Sequence, residues 1–217
     1  MKIAAWLTTW IGIALIGLLG WVVPWVTNGP DEGGLITAAQ AIDNAPGRAG
    51  VSAIPAFYAT TAWIVIGGLI AATGLFAMFS GARDRWIAVI GYVLGAAFLG
   101  LGAFNTWGGA SRSSSENLSF IGVLVAGALM LVMAVLSTRG AAFIGAVPAA
   151  LAALVGLAWS IWFVAAAPQT EVLSVSTLGW ALPAAHLLAL IGSLLSIAIA
   201  GRNKAVSPAS PNSPAAA

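Results

Sequence analysis

The stretch SFIGVLVAGALMLVMAVLST, residues 119–138, decides the class of this chain, because it carries no charge along its length and stops at Arg139. As an α-helix rising about 1.5 Å per residue it reaches about 30 Å, the hydrocarbon thickness of a bilayer. It shows neither a polar helical face nor the two-residue alternation of a half-buried strand, so it has no side meant for water.

Similar runs occupy residues 3–26, 57–80, 86–107, 142–166 and 178–200, giving six expected spans. In lipid each must satisfy its own backbone hydrogen bonds, and no segment alternates as a barrel strand would, so the expected fold is an all-α integral membrane bundle of six transmembrane helices. Across the 217 residues, 60% are apolar and 6% are charged, far from the roughly 25% charged residues of soluble domains. Mean hydropathy is +1.01.

Eight basic and six acidic residues give a net charge of +2, too few charges to suggest a nucleic-acid partner. Their placement sets the expected orientation. Lys2, Arg83, Arg85, Arg139, Arg202 and Lys204 fall on one side of six alternating spans, and only Arg48 and Arg112 on the other. Positive flanks stay cytoplasmic, which predicts N-in and C-in. The first run, reaching Val26, is longer than the hydrophobic region of a secretory signal and is expected to remain as a helix. The Ala, Gly, Val and Leu bias suggests a high-GC bacterial source and a multi-pass place in the bacterial cytoplasmic membrane.

The spans and their loops, residues 1–204, form the transmembrane domain. Outer loops are expected at 27–56, 108–118 and 167–177. The first is long, rich in Gly and Pro, and expected to lack strong regular structure except a short helix near 35–42. It is the expected exoplasmic docking element. The tail 205–217, AVSPASPNSPAAA from Ala205, is expected to be disordered in the cytoplasm. FSGAR at 79–83, LSTR at 136–139 and IAGR at 199–202 end successive inward spans. The pattern leaves open three duplicated helical hairpins, although anchoring preferences alone generate most of it.

Ten tryptophans lie mostly near expected interfaces, where amphipathic indoles anchor a bundle. Trp21, Trp25, Trp107 and Trp162 are alternatively candidates for an outer aromatic surface that meets a lipid or a flat apolar ligand. Small residues four apart, among them Gly91 and Gly95, Gly122 and Ala126, Ala149 and Ala153, and Ala185, Ala189 and Ser193, predict close helix packing. Pro148 and Pro183 are candidate helix kinks.

His186 is the sole histidine and lies within the sixth span. Ionisable groups at membrane depth are functional candidates, so His186 is the one candidate cofactor-binding residue, as a haem ligand or quinone contact. Against that, one histidine cannot supply two axial ligands, and a neutral imidazole bonded to a neighbouring helix is the simpler account. Met130 has comparable depth. There is no cysteine, no HExxH, no phosphate loop and no GxSxG, so no metal site or catalytic residue is expected. The expected function is a non-catalytic accessory subunit of a larger membrane complex, such as a respiratory, oxidase or cell-envelope assembly, with other membrane subunits and the bilayer as partners. The alternatives are a small transporter or channel for an apolar or weakly polar solute, and a single-histidine haem or quinone protein.

Overall fold

The computed structural model of the protein describes residues 2–28, 31–34, 85–107, 114–139, 146–166 and 174–205. It is mostly helical. Helix α1 spans Lys2–Trp21, α2 Arg85–Trp107, α3 Ser114–Thr138, α4 Ala146–Ala166 and α5 Ala181–Ala205. Strand β1 is Val26–Asn28, β2 Asp31–Gly33 and β3 Ser174–Val175, and a 3-10 turn at Thr177–Trp180 leads directly into α5. The expected span 57–80, the segment 35–42 and the tail beyond Ala205 lie outside the described residues.

Among the described residues, four helical stretches are long and apolar enough to cross a membrane: Ile3–Gly20, Arg85–Phe104, Phe120–Thr138 and Thr177–Ile199. The apolar part of α4, Ala146–Trp162, is shorter. Outward faces are apolar too. On α3, Ile121, Leu124, Val125, Leu129, Leu131, Val132 and Val135 are all exposed, as they are on a helix bathed in lipid and not on one bathed in water.

Helices α1 and α4 both pack on α5, and α2 packs on α3. The inner face of α1 is Ile13, Ile16 and Leu19, that of α4 is Ala146, Ala149 and Ala153, and that of α5 is Leu182, Ala185 and Ala189. Steps of three and four residues put each set on one stripe. The α2–α3 cluster joins Ala88, Tyr92, Leu99 and Ala103 to Val123, Met130 and Ala134. Phe104 meets Phe120 edge to face with ring centroids 6.4 Å apart, and further along α3 Gly127 faces Ala96 and Leu99, so the two helices run antiparallel.

The α1–α5 crossing is backbone against backbone. A Cβ on Gly12 would fall 2.8 Å from the Ala185 carbonyl oxygen and closer still to the Ala189 nitrogen, and one on Gly192 would fall 2.8 Å from the Ala5 carbonyl oxygen. The small positions Ala185 and Ala189 therefore serve packing against α1, as the four-residue spacing predicts.

Three expectations need correction. The first helix ends at Trp21, not residue 26, because Pro24 has no N–H to continue it. The beginning of the first long loop is not irregular: β1 pairs antiparallel with both β2 and β3 in the order β2-β1-β3, with Val26 opposite Gly33 and Val175. Pro183 does not kink a helix interior: it is the third residue of α5, where a missing N–H costs little since first-turn N–H groups have no helical acceptor, while the residues that lead up to Ala146 and Pro148 lie outside the described ones.

Candidate functional site

The buried serine and threonine hydroxyls of the described helices are spent locally. Thr9 Oγ1 donates to the Ala5 carbonyl at 3.0 Å, Ser193 Oγ to Ala189 at 2.8 Å, Ser196 Oγ to Gly192 at 2.9 Å and Ser160 Oγ to Leu157 at 3.1 Å. Each closes a bond within its own helix, the usual resort of a hydroxyl with no water at hand. None is held against a base that could activate it.

His186, like Trp10 and Tyr92, keeps a buried polar atom without a hydrogen-bond partner among the described residues. It is 3% exposed, and its Nδ1–H donates to the Leu182 carbonyl one turn earlier at 2.9 Å. A carbonyl can only accept, so this bond fixes the proton of a neutral ring on Nδ1 and leaves Nε2 as an acceptor. Nε2 is buried and has no hydrogen-bond partner. The Cδ2–Nε2 edge lies against Gly156 of α4, so closely that a Cβ there would overlap both atoms. Glycine at 156 is thus the complement of histidine at 186, a relation the sequence could not reveal because it joins two helices thirty positions apart.

A cavity of about 20 Å³ lies at the junction of α1, α4 and α5, lined by Ile13, Ile16, Ala149, Ala153, His186 and Ser193 among others. This is room for about one water. A haem or a quinone ring on Nε2 does not fit: the backbone of Gly156 occupies the approach, and α4 would have to leave α5. Met130 belongs to the α2–α3 cluster and His186 lines the α1–α4–α5 junction. Among the described residues, no three His, Cys, Asp or Glu gather to hold a metal ion.

The fit of His186 to Gly156 makes a prediction. Gly156→Ala is expected to cost roughly 1–3 kcal/mol, the range for an overpacked interior, read as a fall in thermal midpoint in detergent. In a His186→Ala background the same substitution is expected to be nearly neutral, since the obstructing ring is gone. Equal costs in both backgrounds would show that the ring and the glycine are not in contact.

The aromatic candidates separate. Trp25 is not part of an outer surface: it is 2% exposed, and its Nε1–H donates to the Leu19 carbonyl at 2.6 Å. Trp162 is 48% exposed and meets Trp159 edge to face at 5.8 Å. Trp180 is 53% exposed. The side chains of Trp21 and Trp107 lie outside the described ones.

A second concavity was not foreseen. Between α2 and α3 runs an apolar groove of about 420 Å³, with Val93, Ala96, Gly100, Val123, Gly127 and Leu131 along it. Among the described residues, a Cβ on Gly100 would meet nothing within 4 Å, and nor would one on Gly122 near the start of α3. Small residues at 96, 100 and 127 are visible in the sequence. That they share one groove depends on the register of the two helices, which the sequence does not state. Compared with known proteins, the chain matches no family model, no curated protein and no solved structure.

Proposed function

We propose that this chain is a non-catalytic accessory subunit of a larger membrane complex in the bacterial cytoplasmic membrane, such as a respiratory, oxidase or cell-envelope assembly. It crosses the membrane six times with both termini inside, and the sheet end faces outward. The observation that carries the reading is the α2–α3 groove. Glycine costs a helix about 1 kcal/mol relative to alanine, yet the space beside Gly100 is open, so the described residues gain no close packing from its small size. A partner's transmembrane helix gains it, because small residues let a second backbone approach where lipid supplies no hydrophobic drive. The hairpin of β1 and β2, tied to α5 through β3, gives the following loop a fixed base for docking outside the membrane.

The test is Gly100→Leu. The side chain enters open space, so the monomer is expected to keep its thermal midpoint, while co-purification of partner subunits from native membranes falls at least about tenfold, the equivalent of 1.4 kcal/mol. Unchanged recovery of the same partners would remove the groove from the interface. Isolation of wild type without stoichiometric partners would remove the subunit reading itself.

A further inference from the structure

We propose that the end of the α2–α3 pair carrying Arg85 and Arg139 binds one anionic phospholipid, with its phosphate between the two arginines and an acyl chain running into the near half of the α2–α3 groove. The register of the two helices brings the arginines to one level. Phe104 lies against Phe120. Nineteen residues back from Phe104 is Arg85, and nineteen on from Phe120 is Arg139, each about 28 Å from the aromatic pair. Both arginines are exposed. Helix α2 holds no acid, and Glu116, the one acid of α3, is its third residue, at the opposite end. With the flanking sequence included, Arg83, Arg85 and Arg139 stand against Asp84 alone. Two guanidinium groups suit a phosphate, which they meet with paired donors.

The path from the arginines to the groove calls for a lipid and not a free phosphate. Val93, Ala96 and Ala97 of α2 and Ala128 and Leu131 of α3 line the groove. Steps of three and four residues toward the arginines put Ile90 and Trp86 on the same face of α2, and Val135 on that of α3. All three side chains are more than half exposed, and the Trp86 indole stands at the level of the headgroups, where amphipathic rings settle. One leaflet offers about 15 Å of hydrocarbon, half of a core about 30 Å thick. Val93 and Leu131 lie about 12 Å from the arginines, Ala96 and Ala97 about 17 Å, and Gly100 about 22 Å. A chain anchored at the arginines therefore fills the groove as far as Ala97 and stops short of Gly100. The lipid and the partner helix proposed above take different halves of the groove, and neither needs the other. In the orientation proposed above, this is the cytoplasmic leaflet, whose surface is the anionic one.

The experiment uses the full chain with 13C-labelled alanine methyl groups in phosphatidylcholine nanodiscs, doped with phosphatidylglycerol that carries a nitroxide near the end of one acyl chain. The Ala97 and Ala128 methyl signals are expected to broaden at a doping level that leaves Ala149 and Ala153, buried on the inner face of α4, sharp. The same nitroxide on phosphatidylcholine is expected to need at least about tenfold more lipid for equal broadening, since each arginine near the surface favours an anionic headgroup. Arg85→Gln with Arg139→Gln is expected to erase that difference, and Arg85→Lys with Arg139→Lys to keep most of it. Added inorganic phosphate is expected not to displace the lipid, because it has no chain to place in the groove. Equal broadening by the two lipids in the wild type, a comparison that needs no variant to fold, would overturn the arginine site. Sharp Ala97 and Ala128 signals at every doping level would remove the chain from the groove, and displacement by phosphate would reduce the site to one for a free ion, either of which ends the proposal. Gly100→Leu lies beyond the chain's reach and is expected to leave the broadening unchanged, so loss of the lipid and loss of partner subunits are read separately.

Discussion

Gly12→Val is expected to destabilise the isolated protein by about 3 kcal/mol or more, the upper end for overpacked interiors, and to lower its thermal midpoint in detergent accordingly. The reason is what stands opposite. The first atoms a side chain at 12 would meet are the nitrogen and Cα of Ala189 and the carbonyl oxygen of Ala185, which are backbone and cannot rotate away. Relief requires α1 and α5 to separate along their length, and that also disturbs Gly192 against Thr9 and Ala5. Gly17→Ala is the matched control on the same helix. Nothing lies within 4 Å of its Cβ position, so it is expected to be neutral or slightly stabilising through helix propensity. If both variants unfold at the wild-type temperature, the two backbones do not cross as closely as the structure has them.

The contrast between Gly12 and Gly17 also marks how far the sequence can be read. The apolar run at 86–107 reveals α2 almost residue for residue, and that at 119–138 reveals α3 except for its polar first residues 114–118, expected in the outer loop, because one physical requirement, spanning hydrocarbon with satisfied backbone bonds, dominates the apolar segments. The stripe Ala185, Ala189 and Ser193 reveals that α5 packs closely, but not on which helix. Partner choice depends on shape over many residues, and glycine is too common here for spacing to single out Gly12. His186 stands out as the lone intramembrane ionisable group, whereas its complement Gly156 looks like any other glycine. The sheet is the clearest miss. Its strands are two or three residues long, too short to establish a period, although Asn28-Gly29 is a recognised turn signal. Pro183 misleads for a related reason, since a proline's meaning depends on where the helix starts, and apolar runs blur that boundary.

The sheet matters most through Trp25, and Trp25→Ala is expected to cost about 3–5 kcal/mol, as removal of a large buried aromatic does. Helix α1 ends at Trp21, so its last carbonyls have no helical donor. Val22 and Val23 both donate to the Leu18 carbonyl at 2.9 Å, and the Leu19 carbonyl is taken by the Trp25 indole at 2.6 Å. The side chain thus caps its own helix across the turn made by Pro24. The main chain of the same residue binds both sides of the sheet: its N–H donates to the Gly33 carbonyl at 3.0 Å, and its carbonyl accepts from Ser176 at 2.9 Å. The indole lies on Gly179, whose Cβ position is 3.0 Å from ring carbon Cε3. One residue therefore joins the end of α1, the hairpin and the turn that starts α5. Truncation leaves the Leu19 carbonyl without its donor and an empty space beneath the sheet, so the loss is expected to show locally before it shows globally. Backbone hydrogen exchange at 26–28, 31–33 and 174–176 should accelerate well below the unfolding temperature, while α2 and α3 keep wild-type protection. Trp25→Phe refills most of the space but not the hydrogen bond, and is expected to recover the larger part of the stability while the Leu19 cap stays open. If exchange in the three strands is unchanged in Trp25→Ala, the sheet is held by something other than this tryptophan.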